Sequence, residues 1–446
     1  MKDRKEQLAN EKILKLILKL SLPATIGMLV SSLYNLVDTI FVSKAEGPLG
    51  IAALTVVFPI QMLIMAFTQT IGIGSASMIS RALGGHEDEK ANETFETTVI
   101  SLIILSVLVI FFGLLFLKPA LLLFGATPLI LEKAKDYYFI VLIGAPFYIF
   151  ALGLSNIARA EGNLKVSMNG MLFSAVLNII LDPIFIFYFK MGIKGAAIAT
   201  VISQFISFIY LFKYFFLSNK SYIKFKGFIF RFNYFKEIIG VGLSSFTRQA
   251  VGSIVAIVLN NTLKVYGGEM AIAIMGVINR TLMVIFLPMF GIIQGIQPII
   301  GFNYGAKSFK RVKETLKTAT MITTIFCIII FSLMQLFPEN IVRIFSNDVD
   351  LINMSILPIR LFSLAFITIG FQIIVAGYYQ SIGKVIPALI LSIARQSIFL
   401  IPLILILPRF LNEFGIWVSF PISDFMGFLI SIIFILKEYN KNLSQK

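Results

Sequence analysis

Runs of about twenty apolar residues recur along this chain, separated by short stretches in which the charged residues gather. That length is what an α-helix needs to cross the roughly 30 Å hydrocarbon core of a bilayer. The pattern predicts twelve spans, centred near residues 30, 65, 105, 147, 178, 206, 250, 288, 325, 367, 396 and 426. Their connections alternate in charge. One set carries Lys2 to Lys15, Arg81 and Lys90, Arg159 and Lys165, the stretch from Lys220 to Lys236, Lys307 to Lys317, Lys384, and Lys437 to Lys446. The other holds only Lys44, Lys118, Lys133, Lys135, Lys190, Lys194, Lys264, Arg343 and Arg409. Loops rich in lysine and arginine stay on the cytoplasmic side of a membrane. Both termini are therefore expected inside, in a multi-pass protein of the inner (plasma) membrane. The basic N-terminus runs straight into apolar sequence with no small-residue cleavage site, so it reads as a retained first span.

Composition agrees with the pattern. Of 446 residues, 58% are hydrophobic and only 14% charged, more apolar surface than a soluble domain needs. The net charge of +15 reports orientation in such a protein, and no nucleic-acid partner is expected. Cys327 is the single cysteine, which excludes an intrachain disulfide and a thiolate metal cluster. His86, the one histidine, stands beside Glu87 and Asp88 and reads as a solvated loop residue.

The longest polar connection, from Ser218 to Lys236, falls near the middle and leaves six spans on either side. The halves match at a register of about 221, which pairs Gly47 with Gly268, Gly74 with Gly295, Gly84 with Gly305, Glu93 with Glu314 and Gly162 with Gly383. An even number of spans per half makes the repeats parallel, related by an axis along the membrane normal. The expected architecture is an all-α integral membrane protein of twelve transmembrane helices in two parallel six-helix repeats. Residues 1–217 form an N-terminal lobe, 218–236 a cytoplasmic linker and 237–446 a C-terminal lobe, around a central cavity.

Two carboxylates interrupt the apolar pattern. Asp182 lies in Asn178-Ile-Ile-Leu-Asp182-Pro183, and Asp38 in Tyr34-Asn35-Leu-Val-Asp38. An ionised aspartate at the centre of a bilayer helix costs about 2.5–3.5 kcal/mol on insertion scales, so such a residue faces protein or water. Asn178 and Asp182 are four apart and share a helix face, as do Tyr34 and Asp38. Pro183 removes a backbone donor and crowds the carbonyl four residues earlier, which predicts a kink and a free carbonyl oxygen. Thr200 on the sixth span adds a hydroxyl. Carboxylate, amide and hydroxyl oxygens without nitrogen or sulfur ligands suit a proton or a hard monovalent cation, not zinc. The bland alternative is that both aspartates are packing residues paired with arginines. The second half has Leu259 and Ile401 at the equivalent positions, and places Arg248, Arg280 and Arg395 within its spans. No Gly-x-x-x-x-Gly-Lys-Ser/Thr loop occurs, so ATP is not expected as the energy source and no cofactor is implied. An intramembrane aspartyl protease would want Gly-x-Gly-Asp where this chain has Ile180-Leu181-Asp182-Pro183, so no enzyme is expected.

The run Ser21-Leu-Pro23-Ala-Thr-Ile-Gly-Met, followed by Tyr34-Asn-Leu-Val-Asp38-Thr, resembles the first helix of multidrug and toxic compound extrusion (MATE) transporters. Asn178 to Pro183, the Ala160-Glu161-Gly162-Asn163 turn, and Gln294-Gly-Ile-Gln297-Pro298 before Gly301-Phe-Asn-Tyr-Gly305 fit the same family. The likeness covers nearly the whole chain and is closest to bacterial MepA-like members. It implies a secondary active multidrug antiporter, with xenobiotic export and antibiotic resistance as its outcome. Amphiphilic, cationic compounds would leave in exchange for H⁺ or Na⁺ by alternating access. The family's cation-coupling residues match Asp38, Asn178, Asp182 and Thr200, where Na⁺ would be the only metal, and Tyr34 matches a tyrosine near that site. Candidate substrate-cavity residues are Tyr34, Asn35, Asn156, Arg248, Gln297 and Arg395. The acidic residues that another branch uses in its C-terminal lobe have no counterpart in the seventh or tenth span. The alternative within the same superfamily is a flippase for a lipid-linked precursor, which would grip phosphate with Arg248, Arg280 and Arg395. Expected partners are small amphiphilic organic cations and membrane lipids, with the monomer as the functional unit. Glu161 is expected either to pair with Arg159 or Lys165 or to act in gating, and Asp424 has no assigned role.

Overall fold

The computed structural model describes residues 4–440; Lys2 and residues 441–446, counted above in the basic set, lie outside the described residues. Among the described residues the chain is helical, with no strand. Its first long helix, Ile13–Gly84, has 72 residues. At 1.5 Å per residue that is about 108 Å, more than three times the hydrocarbon core. Gly47 interrupts it with φ 63° and ψ −154°, a backbone region that strongly favours glycine. Pro48 follows, its fixed φ suited to the first turn of a new helix. The long helix is therefore two spans, α1 (13–46) and α2 (48–84).

The remaining spans follow in order. In the first half they are α3 (Asp88–Leu115), α4 (Pro128–Ala160), α5 (Leu164–Tyr188) and α6 (Gly192–Leu217). In the second they are α7 (Phe232–Tyr266), α8 (Gly268–Gly305), α9 (Phe309–Leu336), α10 (Val349–Ser363 with Phe366–Ser381), α11 (Val385–Ile406) and α12 (Pro408–Glu438, whose first turn is broken off at Asn412 with φ 51° and ψ −141°). The two segments of α10 are bent by 47°. Counting the break at Gly47 and the bent pair this way, each of the twelve expected windows falls on one span.

Duplication is written in the backbone as well as in the residue matches. Residues with left-handed φ recur 221 apart: Gly47 (63°) with Gly268 (65°), His86 (58°) with Lys307 (56°), and Gly162 (74°) with Gly383 (77°). A short helix, Leu117–Leu123, joins α3 to α4, and another, Pro338–Arg343, joins α9 to α10. At Pro183, where a kink is expected, the helix changes its winding. Backbone angles stay helical at Pro183 and Ile184, and the helix widens into a π segment over Ile184–Tyr188.

The chain forms two compact units. The first comprises residues 4–9 and Leu22–Gly242, and so includes residues 218–236; the second comprises Asn10–Ser21 and residues 243–440. Both boundaries lie inside a span, at Ser21 of α1 and Gly242 of α7. In the first unit the start of α7 packs on α2 backbone to backbone. A Cβ added at Gly74 would lie 1.9 Å from the Ile238 carbonyl oxygen, and one at Gly242 would lie 1.8 Å from that of Thr70. Glycine is what lets two backbones approach so closely in a membrane. In the second unit the start of α1 packs on α8, where Gly295 lies against Ser21. The core of the first unit joins Val42, Val57, Tyr137, Leu142, Ile186 and Ile193, and so ties together α1, α2, α4, α5 and α6.

Candidate functional site

Asn178, Asp182 and Thr200 meet inside the first unit. One helical turn on α5 separates Asn178 from Asp182, and Thr200 faces them from α6. Asn178 Nδ2 donates to Asp182 Oδ1 at 3.1 Å and to Thr200 Oγ1 at 3.3 Å. All three are buried, Asp182 at 0% exposure. Asp38 on α1 is buried too and lies within electrostatic range of Asp182. Asp38 Oδ1, Asp182 Oδ2 and Asn178 Oδ1 have no hydrogen-bond partner. Leaving buried acceptors open costs free energy, about 1–3 kcal/mol each and more for a charged group. A proton or a cation is what such oxygens can bind. No arginine or lysine forms an ion pair with either aspartate among the described residues, so the arginine-paired alternative has no counterpart here.

The donor set is all oxygen. No group of three or more His, Cys, Asp or Glu side chains able to hold a metal ion occurs among the described residues. Two carboxylates, an amide and a hydroxyl fit Na⁺ or a proton rather than a thiolate- or imidazole-bound metal. Two tyrosines border the carboxylates. Tyr34 is half-buried, and its hydroxyl lies within electrostatic range of Asp38 and Asp182. Tyr137 on α4 is buried and in range of the same two aspartates. Sequence reading missed Tyr137 because it follows Glu132, Lys133, Lys135 and Asp136, a charged stretch that looks like loop but forms the start of α4.

The other cavity candidates fare unequally. Asn35 is exposed, and its amide donates to the Ser31 carbonyl. Asn156 is buried and fully engaged: its Nδ2 donates to Leu152 O and Gln69 Oε1, and its Oδ1 accepts from Arg159. That makes it a joint of the α4 packing. Arg248 lies over the Phe290 ring at 6.0 Å, and Gln297 is buried with its Nε2 unpartnered, both in the second unit. Arg395 Nη1 donates to Asp424 Oδ1 at 2.9 Å, which gives Asp424 a role the sequence reading did not assign. Ser423 and Gln372 pin the main-chain carbonyls of Arg395 and Asp424 respectively.

For Glu161 the pairing half of the expectation does not hold. It pairs with neither Arg159 nor Lys165. Tyr214, Ser221 and the Tyr222 amide donate to its carboxylate, and Arg4 lies 3.8 Å away. Arg159 turns instead to Ser155, Ser167 and Asn156. The chain leaves α4 through the left-handed Gly162, which aims Glu161 at residues 214–222 and away from its sequence neighbours.

A duplicated twelve-span membrane protein with two carboxylates buried in its first repeat is what the fold and the site define. The chain belongs to the MatE family, whose model matches residues 23–184 and again residues 241–406, once in each half. Over 432 residues it is 29% identical to the multidrug export protein MepA of Staphylococcus aureus (strain MSSA476), covering 96% of this chain and 94% of that protein. MepA of Staphylococcus haemolyticus (strain JCSC1435) is 28% identical over 440 residues, with the same coverage. Among solved structures, a MATE protein in complex with MaD3S superposes with a TM-score of 0.92 at 27% identity, covering all of both chains. The MATE multidrug transporter DinF-BH, solved as a complex, gives 0.88 at 41% identity, over 96% of each chain.

Proposed function

We propose that this protein is a secondary active multidrug exporter that exchanges H⁺ or Na⁺ for amphiphilic organic cations by alternating access. The buried pair Asp38 and Asp182, with oxygens left open beside Asn178 and Thr200, carries this reading. Each carboxylate can be neutralised by a proton or by Na⁺, so occupancy changes the charge held inside the spans. One charge moved through 100 mV yields about 2.3 kcal/mol, enough for roughly fiftyfold accumulation when fully coupled. Multidrug export by the MepA relatives, and multidrug transport by DinF-BH, support a small-molecule substrate. The basic loops favour a plasma-membrane protein with both termini cytoplasmic.

The flippase reading is weaker. One of the three intramembrane arginines on which it depends, Arg395, is neutralised by Asp424. Efflux of a fluorescent organic cation from proteoliposomes, under separately imposed pH and Na⁺ gradients, tests the proposal. Efflux should follow one of the two gradients and stop when both are dissipated. Absence of gradient-driven efflux, together with a lipid-linked sugar that accumulates on knockout, would hand the function to a flippase.

A further inference from the structure

The connection between α6 and α7, residues 218–231, forms an irregular strap across the ends of helices in the first unit. Its backbone is tied down by side chains from below. The amide of Tyr222 donates to Glu161, that of Lys224 to Asn92 Oδ1 at 2.7 Å, and those of Lys226 and Gly227 to Glu96 Oε1 at 2.8 and 3.1 Å. The Arg231 amide donates to Thr97 Oγ1. Alternate side chains of an extended segment face opposite ways. Ile223 is accordingly buried and Phe225 packs on Phe95 and Phe216, while Lys224 and Lys226 are exposed.

Four acids near the strap are already engaged. Glu93 holds the Arg231 guanidinium, Glu96 and Glu161 accept from strap amides, and Glu237 pairs with Arg81. Residues 218–236 contain no carboxylate of their own. Among the described residues no ion pair includes Lys220, Lys224, Lys226 or Lys236; Lys236 lies instead over the Phe232 ring at 4.7 Å. Beside these charges Phe228 and Phe232 are 71% and 59% exposed. Four exposed lysines and two largely exposed rings therefore share a surface where two spans leave and re-enter the bilayer. Lysines at that level attract anionic headgroups, and aromatic rings settle at the boundary between headgroup and acyl chain.

We propose that this strap is a docking surface for anionic phospholipids, with the lysines on the headgroup phosphates and Phe228 and Phe232 seated at the acyl boundary. The inference is independent of the transport reading and of the coupling ion. The probe is phosphatidylglycerol against phosphatidylcholine, counted as lipid retained by the full-length protein in native mass spectrometry. Wild type should retain phosphatidylglycerol in preference. Replacing Lys220, Lys224, Lys226 and Lys236 by Gln should erase that preference, weakening binding by about fivefold for each lysine removed. Phe228→Ser with Phe232→Ser should weaken retention of both lipids while leaving the preference. Thermal melting in detergent serves as the folding control for both variants. A preference that survives in the lysine variant, or that wild type never shows, overturns the proposal. So does glycerol phosphate competing as well as the lipid, since the lysines would then serve a soluble phosphate. A soluble protein partner displacing phosphatidylglycerol from the wild type alone would assign the surface to protein instead.

Discussion

Asp182 is held on one oxygen by Asn178 and open on the other, so its charge and its hydrogen bond can be separated by mutation. Asp182→Asn keeps the shape but cannot take up a proton or pair with a cation. Gradient-driven efflux should fall to background while the protein remains folded and inserted, with Asp38→Asn nearly as severe. Thr200→Ala removes one neutral ligand, worth about 0.5–1.5 kcal/mol, and should weaken ion dependence by about tenfold or less. Proteoliposome flux with a parallel melting curve checks the set, and efflux that persists in the Asp38/Asp182 double variant would place coupling elsewhere. Arg395 and Asp424 make the contrasting case. Asp424→Asn takes the charge partner from a guanidinium that is 28% exposed and should destabilise by about 1.5–3 kcal/mol, read as a lowered melting temperature. Adding Arg395→Gln should restore most of that loss. Arg395→Gln alone strands the buried Asp424 carboxylate and should also lower the melting temperature; its ion dependence should stay intact, because the second repeat holds Leu259 and Ile401 where the first holds its aspartates.

At the scale of elements, Glu161 joins the end of α4 to the strap and to the short N-terminal helix Arg4–Asn10. Burial pushes its carboxyl up to about 7, against the opposing pull of Ser221, Arg4, Tyr214 and Lys5. A carboxyl raised in the folded state above its ordinary value of 4.5 binds its proton more tightly when folded. Its contribution is then complete below the ordinary value and is lost as pH rises through about 7. Amides of residues 221–223 should therefore exchange more slowly at about pH 6 than at about pH 8, after correction for intrinsic rates. Glu161→Gln should flatten the difference. An unchanged pH profile in that variant would assign the effect to another group.

At the scale of the whole molecule, the repeat governs both the span count and the division into units. The unit boundaries after Ser21 and Gly242 are themselves 221 apart, so each unit takes in the opening turns of the other repeat's first span. A duplicated gene with close glycine contacts at Gly74 and Gly295 accounts for that exchange. Topology is testable in a background lacking Cys327. A cysteine at residue 226 should react with impermeant reagent only in opened cells, as should cysteines placed near either terminus. Labelling of residue 226 from outside intact cells would reverse the orientation drawn from the basic loops.

The spans, their number and their pairing were legible because a bilayer imposes a length and an apolarity on every helix that crosses it. The carboxylates Asp38 and Asp182 were legible for the same reason, since charge in such a run needs a protein environment. Gly47 was visible as a repeat partner, but its backbone break emerged only with the φ and ψ that its missing side chain permits. Chain pattern could not show that Asp424 neutralises Arg395 or that Arg4 approaches Glu161, because those partners lie 29 and 157 positions apart and meet only by packing. Nor could it show that Pro183 resolves into a π segment, or that Tyr137 borders the aspartates from a stretch that reads as loop. Local sequence sets which residues can enter the membrane. Which of them face one another depends on how whole helices pack, and that was decided only in three dimensions.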